Sequence, residues 1–124
     1  MVVEDEPDLL AAVKMALERK GYHIHGFCDS TSALRHFKEQ GCKDCNLVLS
    51  DIKMQPMTGV ELAIYLKKIC PDLKIVIMSA MPINKNEWRK VLPKSENIDD
   101  FLAKPFTTEE LLQIVKKWDK KPNN

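Results

Sequence analysis

The feature that most constrains the fold of this chain is the segment 47–51, in which three branched apolar residues lead through a serine to Asp51. An uninterrupted apolar run followed by turn-forming residues at 55–59 predicts a central parallel strand that is buried on both faces. Open α/β sheets place their chemistry at the carboxyl ends of such strands. Asp51 is therefore either a functional carboxylate or the cap of the next helix. Thr58 suits the cap better because Glu61 follows three residues later, as in a capping box, so a functional role is favoured for Asp51.

The same alternation of apolar runs and helical periodicity recurs along the chain. We predict strands at 1–3, 22–27, 47–51, 73–78 and 101–103, and helices at 7–20, 30–40, 58–69, 86–92 and 107–118. Five such alternations indicate a parallel sheet with right-handed crossovers and helices on both faces. The predicted fold is a doubly wound, five-stranded α/β domain.

Polar and glycine residues mark where the predicted helices begin and end. Gly21 and Gly41 follow the first and second helices, where a residue that tolerates positive φ is favoured. Ser30 is the predicted cap of the second helix. Thr107 and Glu110 repeat the capping-box spacing at the start of the last helix.

Length and charge restrict the functional class. The chain has 124 residues, enough for one domain with its own core, and its formal net charge of +1 gives no general attraction to nucleic acid or anionic membranes. No apolar run approaches the ~18 residues of a membrane span, and Glu4 arrives too early for a signal peptide. We expect a cytoplasmic domain over residues 1–119 with a polar tail at 120–124, and no direct contact with nucleic acid or membrane.

Five polar residues stand where the predicted strands end: Glu4 and Asp5 after the first, Asp51 after the third, Ser79 after the fourth and Lys104 after the fifth. Three carboxylates in one cleft repel one another and raise each other's pKa unless a cation neutralises them. Mg²⁺ prefers such oxygen ligands, and a lysine adds a point charge. A nucleophilic carboxylate with Mg²⁺, lysine and a hydroxyl indicates phosphoryl transfer to an aspartate.

With these motifs in order, the chain resembles a response-regulator receiver domain, the phosphoacceptor of two-component signalling, over essentially its whole length. The segment 3–7 matches the acidic pair of that family, and 51–59 matches its phosphoacceptor loop. The segment 78–80 carries the switch hydroxyl, 104–106 carries the family lysine, and Phe101 stands at the aromatic switch position. Each motif is weak alone, but all of them in order at strand ends form a strong signal.

The resemblance implies a role for each acidic residue. Asp51 would accept the phosphoryl group from a sensor histidine kinase or a phosphotransfer protein. Asp5 and Asp51 would bind Mg²⁺ directly, Glu4 would act through water, and the backbone carbonyl of Lys53 would complete the protein ligands. The domain would assist only its own phosphorylation and dephosphorylation, and would not be an enzyme acting on other substrates.

The resemblance also implies how the phosphoryl group is held and sensed. Ser79 and Lys104 would each hold a phosphoryl oxygen, and Ser79 and Phe101 would form the conformational switch. The Lys104–Pro105 peptide bond would be cis. The fold would be flavodoxin-like with strand order 2-1-3-4-5. A downstream protein or a second copy would bind the face formed by the fourth helix, fifth strand and fifth helix.

Other functions are weighed against this prediction. A phosphatase of the haloacid dehalogenase type needs an acid two residues after its nucleophile, where this chain has Lys53. A flavodoxin-like electron carrier needs a hydroxyl-rich phosphate loop after its first strand, where this chain has the acidic segment 4–6. A pseudo-receiver that acts only as a docking module stays open as the alternative, although such modules usually lose the aspartate or the lysine.

The histidines and cysteines carry weaker predictions. His23 and His25 alternate on an edge strand and are predicted to face the same side as structural or solvated residues, while His36 is predicted to lie on the surface. Cys42 and Cys45 precede a strand. A redox Cys-x-x-Cys pair instead needs its first thiolate at a helix N-terminus. We expect these thiols and Cys70 to lie at the end of the sheet opposite Asp51 and to be inert or merely oxidisable.

Overall fold

The computed structural model describes residues 1–41, 45–81, 87–92 and 94–119. In chain order the strands are β1 (Val2–Val3), β2 (Gly26–Phe27), β3 (Leu47–Asp51), β4 (Lys74–Ser79) and β5 (Asp100–Ala103). The α-helices are α1 (Pro7–Glu18), α2 (Ser30–Gln40), α3 (Gly59–Ile69), α4 (Trp88–Val91) and α5 (Thr108–Trp118), with a 3₁₀ turn at Ser95–Asn97 between α4 and β5.

All strand pairs are parallel, and the sheet order is β2-β1-β3-β4-β5, which confirms the predicted doubly wound fold. The central strand β3 pairs with β1 on one side and β4 on the other. In that register Asp51 stands beside Met78, and Ser79 at the end of β4 stands beside Ala103 of β5. The carboxyl ends of β3, β4 and β5 therefore meet at one edge of the sheet.

The sheet separates two apolar layers, and β3 contributes to both. Val48 packs with the residues of α2 and α3, whereas Leu47 and Leu49 pack with those of α1 and α5. All five residues of β3 are buried. This double burial is the physical reason for the apolar run in the sequence, because neither face of a central parallel strand meets water.

The helix ends follow the sequence signals with one correction. Both capping boxes are present, Thr58 with Glu61 and Thr107 with Glu110. The predicted cap Ser30 is wrong, because Asp29 caps α2 by accepting a hydrogen bond from the Ser32 N–H at 2.7 Å. An ionised carboxylate is the stronger acceptor at a helix N-terminus, and it is stabilised there by the helix dipole.

The buried Ser30 side chain instead ties α2 to the loop that follows β3. Its hydroxyl oxygen accepts a hydrogen bond from the Met57 N–H at 3.1 Å. Among the described residues, two peptide bonds are cis: Lys104–Pro105, as expected from the resemblance, and Gln55–Pro56, which the sequence did not indicate.

Three predicted elements are at least two residues shorter in the structure. The first helix ends at Glu18, and Gly21 has a φ of 91°, as expected for a residue that stops a helix. The second strand covers 26–27 instead of 22–27, because among the described strands it pairs with β1 alone, through two residues. The helix predicted at 86–92 is the single turn α4 (Trp88–Val91). Residue 86, the first of the predicted helix, lies outside the described part of the chain.

The remaining predictions concern the chain ends, the cysteines and membranes. The predicted tail at 120–124 and Cys42 lie outside the described residues. Cys45 precedes β3 and Cys70 follows α3, so both lie at the end of the sheet opposite Asp51, as predicted. Within the described ranges, no helix has the length and apolar character needed to cross a membrane.

Candidate functional site

Three carboxylates converge at the carboxyl edge of the sheet. Oxygens of Glu4, Asp5 and Asp51 lie within 4.8 Å of one another. Glu4 and Asp51 are 1% and 8% exposed, whereas Asp5 faces solvent. Glu4 and Asp5 reach this position because β1 lies beside β3 and both strands run in the same direction. The predicted acidic cluster is therefore present in the folded chain.

Lys104 brings a positive charge to the same place. Its Nζ donates a hydrogen bond to Glu4 Oε1 at 2.8 Å and lies 3.5 Å from Asp51 Oδ1. The backbone N–H of Lys104 donates to the carbonyl of Ser79 at 2.8 Å, which fixes the start of this side chain at the end of β5. The second oxygen of Glu4 accepts from the Glu6 N–H at 3.1 Å, so both of its oxygens have partners.

Burial and the mutual charges shift the pKa of three groups. Burial raises the pKa of Glu4 and of Asp51, and in each case Lys104 opposes the rise. The charge of Asp5 adds to the rise at Asp51. For Lys104, burial alone would lower the pKa, but the hydrogen bond to Glu4 and the charge of Asp51 outweigh it and raise the pKa. One lysine thus offsets only part of the combined effect of burial and repulsion on these carboxylates.

A cavity of about 270 Å³ opens over Asp51. Its lining comprises Asp51, Ile52, Lys53, Ser79, Ala80, Met81 and Lys104. The Ser79 hydroxyl oxygen accepts a hydrogen bond from the Met81 N–H at 3.0 Å, so its O–H bond stays available to donate. The structure therefore brings Asp51, Ser79 and Lys104 to one space, with Lys53 and Met81 at its border.

Phe101, predicted as the switch aromatic, is fully buried. Its ring stacks on Trp88 of α4, with centroids 6.1 Å apart and planes 19° from parallel. The guanidinium of Arg89 lies over the Trp88 ring at 4.4 Å and donates hydrogen bonds to the carbonyls of Ser95 and Ile98. This packing was missed from the sequence, where the irregular segment gave no sign of which side Trp88 would face.

Gly59 is a second residue whose role the sequence did not reveal. A Cβ at this position would clash with the backbone carbonyl oxygen of Asp51 and would lie 3.1 Å from Ile77 Cδ1 and from Ser50 Oγ. The Gly59 N–H also donates to the Ile52 carbonyl at 2.9 Å. The start of α3 can therefore approach the end of β3 only because residue 59 has no side chain.

The donor set at this edge fits Mg²⁺. The acidic cluster offers hard carboxylate oxygens close together, and Asp5 remains open to solvent, which suits an ion that keeps several waters. Burial and mutual repulsion raise the pKa of Glu4 and of Asp51, and a divalent cation would relieve the repulsion. Among the described residues, no second group of three acidic, histidine or cysteine side chains has ligand atoms this close together.

Comparison with known families gives the same answer as the geometry. The model of the response regulator receiver domain matches residues 1–116. The chain belongs to this family. It is a receiver domain of the two-component systems, and the complete set of site residues does not favour the pseudo-receiver alternative.

Similar proteins include both short and long chains. The response regulator receiver protein CpdR of Brucella abortus is 31% identical over 94% of this receiver domain and 92% of the CpdR sequence. The sensor kinase CckA of the same organism is also 31% identical over 94% of this chain, which spans only 12% of CckA. The receiver domain thus matches nearly all of one relative and a small segment of the other.

Solved structures show the same fold. A response regulator receiver domain protein from Clostridium thermocellum has a TM-score of 0.81 and 27% identity, covering 94% of this chain and 89% of that one. The response regulator TrrA of Thermotoga maritima, solved in complex with Mg²⁺-BeF, has a TM-score of 0.79 and 32% identity, covering 94% of this chain and 95% of that one.

Proposed function

We propose that this receiver domain accepts a phosphoryl group on Asp51 and uses Mg²⁺ in doing so. The observation that carries the proposal is the position of the Asp51 carboxylate, which lies among two further carboxylates, 3.5 Å from Lys104, at the floor of an open cavity. A carboxylate in that setting has the charge, access and neighbours that phosphoryl transfer requires.

In the proposed reaction, a carboxylate oxygen of Asp51 attacks the phosphorus of a phosphohistidine. The new O–P bond forms as the P–N bond breaks, and the electron pair of that bond returns to the imidazole nitrogen of the donor. Asp51 must be ionised to attack. The ammonium of Lys104 favours that ionised form, against the burial and the neighbouring acids that oppose it.

Asp5 and Asp51 would hold Mg²⁺ directly, with the backbone carbonyl of Lys53 as a further ligand. Mg²⁺, when bound, neutralises charge on the phosphoryl oxygens and on the acidic cluster. Glu4 would act through water, which agrees with its contacts, because its two oxygens already accept from Lys104 and from the Glu6 N–H. The role of Glu4 is then to hold the lysine and complete the outer ligand sphere.

Ser79 and Lys104 would each hold a phosphoryl oxygen, because both line the cavity over Asp51 and both can donate hydrogen bonds. Displacement of the Ser79 hydroxyl toward the phosphoryl group would be sensed at Phe101 through the paired strands β4 and β5. Phe101 is already buried. We therefore expect that phosphorylation changes the NMR shifts around residue 101 less in wild type than in the Phe101→Tyr variant. Equal changes in the two proteins would contradict this expectation.

The partner proposed for phosphorylation is a sensor histidine kinase or a phosphotransfer protein, which is supported by the similarity to a segment of the sensor kinase CckA. The face formed by α4, β5 and α5 is the proposed site for a downstream protein or a second copy of the domain. We propose a cytoplasmic setting, residues 1–119 as the domain, and no direct contact with nucleic acid or membrane.

The test uses a small phosphodonor, so that no partner is needed. Incubation with acetyl phosphate and Mg²⁺ should add one phosphoryl group to the intact mass of the wild type, and chelation of Mg²⁺ should prevent the gain. Asp51→Asn should gain nothing. Asp72→Asn, which removes an exposed carboxylate at the opposite end of the sheet, is the matched control and should be labelled like wild type. Persistent labelling of Asp51→Asn would reject the assignment.

A further inference from the structure

A cluster of histidine rings lies at the end of the sheet opposite Asp51, and the proposed phosphoacceptor function does not use it. The rings of His23 and His25 touch edge-on with centroids 4.8 Å apart, and the rings of His25 and His36 lie 4.9 Å apart. These are all three histidines of the chain. They line one cavity of about 260 Å³, together with the half-buried Cys45.

The fold brings these rings together from two elements. The His25 carbonyl accepts from the Val2 N–H at 2.9 Å, which fixes His25 at the amino end of β2 against the sheet. His23 stands two residues earlier in the chain, and its ring contacts the ring of His25. His36 lies on α2 and packs against Phe27 as well as His25, with a centroid distance of 5.1 Å to Phe27. The expectation of a surface position for His36 is corrected to a half-buried one.

We propose that His23, His25 and His36 form a binding site for a borderline divalent transition ion such as Zn²⁺. Imidazole nitrogens suit such ions, and three histidines with one position left to solvent is a known zinc ligand set. Two imidazoles on one zinc at ~2.1 Å Zn–N have ring centroids on the order of 5 Å apart. The two centroid distances in the structure match that spacing.

The site requires the three rings to move closer together on binding. The ligand nitrogens of the three rings do not all lie within 4.8 Å of one another, in contrast to the oxygens of the acidic cluster. His23 is exposed, so its side chain can rotate toward the other two at little cost in packing. Because β2 and β3 are parallel, the amino end of β2 lies at the opposite end of the sheet from Asp51. The ion would therefore join α2 to the sheet edge without entering the phosphoacceptor cavity.

The test is a calorimetric titration of the whole chain with ZnCl₂ in excess Mg²⁺, which occupies the acidic cluster. We expect one Zn²⁺ per chain in wild type and in Asp5→Asn, which weakens the acidic cluster alone. His25→Ala and His36→Gln should each lose at least about 10- to 100-fold in affinity, since even loss of an outer partner of a ligand has that effect. Zinc binding that survives in both histidine variants, or is lost in Asp5→Asn, would overturn the proposal.

A spectroscopic readout separates ligation from a general loss of folding. In ¹⁵N-labelled wild type, ZnCl₂ should shift the ring nitrogen resonances of all three histidines at one equivalent. Folded histidine variants should gain a phosphoryl group from acetyl phosphate as wild type does. If wild type itself gains no phosphoryl group, the proposed phosphoacceptor function fails, and the zinc titration still tests the histidine site. Zinc-induced shifts at fewer than three histidines would refute the three-histidine site.

Discussion

Removal of the Asp51 charge should stabilise the fold in the absence of Mg²⁺. The Asp51 carboxylate is 8% exposed, and burial and the charge of Asp5 raise its pKa. A folded state that binds a proton more tightly than the unfolded state is destabilised when that proton leaves. Asp51→Asn keeps the shape of the side chain and abolishes the charge. The site therefore holds a functional carboxylate at a cost in stability.

The size of the effect follows from two distances, one for the repulsions and one for the attraction. At an effective dielectric constant of ~20, unit charges at the 4.8 Å limit of the acidic cluster repel by about 3.5 kcal/mol. At the 3.5 Å between Lys104 Nζ and Asp51 Oδ1, the attraction is about 4.7 kcal/mol. The repulsions of Asp51 by Glu4 and by Asp5 thus exceed its attraction to Lys104 by about 2 kcal/mol. Solvent around the exposed Asp5 reduces that excess, and the burial of Asp51 adds to it. We expect Asp51→Asn to raise the free energy of unfolding by about 1–3 kcal/mol.

Urea denaturation with EDTA, repeated across pH, measures this difference. The penalty at Asp51 is absent below the unfolded pKa of 3.8, grows as pH rises through the higher folded pKa, and is full above it. The advantage of Asp51→Asn should therefore be largest at neutral pH and shrink toward acid. Excess Mg²⁺ at about 100 times its Kd should add about 2.7 kcal/mol to wild type and less to the variant.

Asp72→Asn serves as the control, because its carboxylate is exposed and far from the acidic cluster. Its free energy of unfolding should stay within about 0.5 kcal/mol of wild type. A loss of stability in Asp51→Asn at neutral pH, or a gain that does not change with pH, would refute the electrostatic reasoning.

Three further predictions concern the surroundings of the site. Gly59→Ala should lower the free energy of unfolding by about 1–3 kcal/mol in urea, because its methyl group meets the Asp51 carbonyl; unchanged stability would contradict the close approach. The aspartyl phosphate of the wild type should hydrolyse slowly after donor removal at constant Mg²⁺, because Lys53 cannot accept a proton from water and Met81 lines the cavity, where it can cover the phosphoryl group. The double variant Lys53→Asn, Met81→Ala should lose the phosphoryl group about 10- to 100-fold faster. An equal rate in the two proteins would refute the shielding. Burial alone would raise the pKa of Asp100, but the hydrogen bond from the Trp118 indole at 2.7 Å helps to lower it. Asp100→Asn should therefore be less stable than wild type in urea at neutral pH. The difference should disappear as pH falls below 3.8 and through the lowered pKa of Asp100 in the folded state. A difference that persists at that acid pH would point to lost packing.

The elements that the sequence predicted correctly are those with local causes. The apolar segment 47–51 is recognisable because a strand buried on both faces needs apolar residues at every position. The capping boxes at Thr58 and Thr107 are satisfied within one turn, so four residues contain the whole signal. The convergence of the acidic residues and Lys104 follows from topology, since parallel strands end at the same edge of the sheet.

The features that escaped prediction depend on contacts distant in sequence. Ser30 was predicted to cap α2, but its hydroxyl oxygen accepts a hydrogen bond from the Met57 N–H, which no local pattern indicates. The one-turn α4 is held by the stacking of Trp88 on Phe101 and by the hydrogen bonds of Arg89 to the following loop. His36 was predicted to lie at the surface from its charged neighbours, whereas the rings of His25 and Phe27 pack against it. In each case contacts distant in sequence, which local patterns do not contain, decided the structure.

The central claim is that Asp51 itself carries the phosphoryl group, and the most direct measurement locates the bond. Borohydride reduces an aspartyl phosphate to homoserine, which peptide mass mapping can place in the sequence. After treatment with acetyl phosphate and Mg²⁺, homoserine should appear at position 51 and nowhere else. Homoserine at another acidic residue, or a stable phosphate on Ser50 or Ser79, would contradict the account.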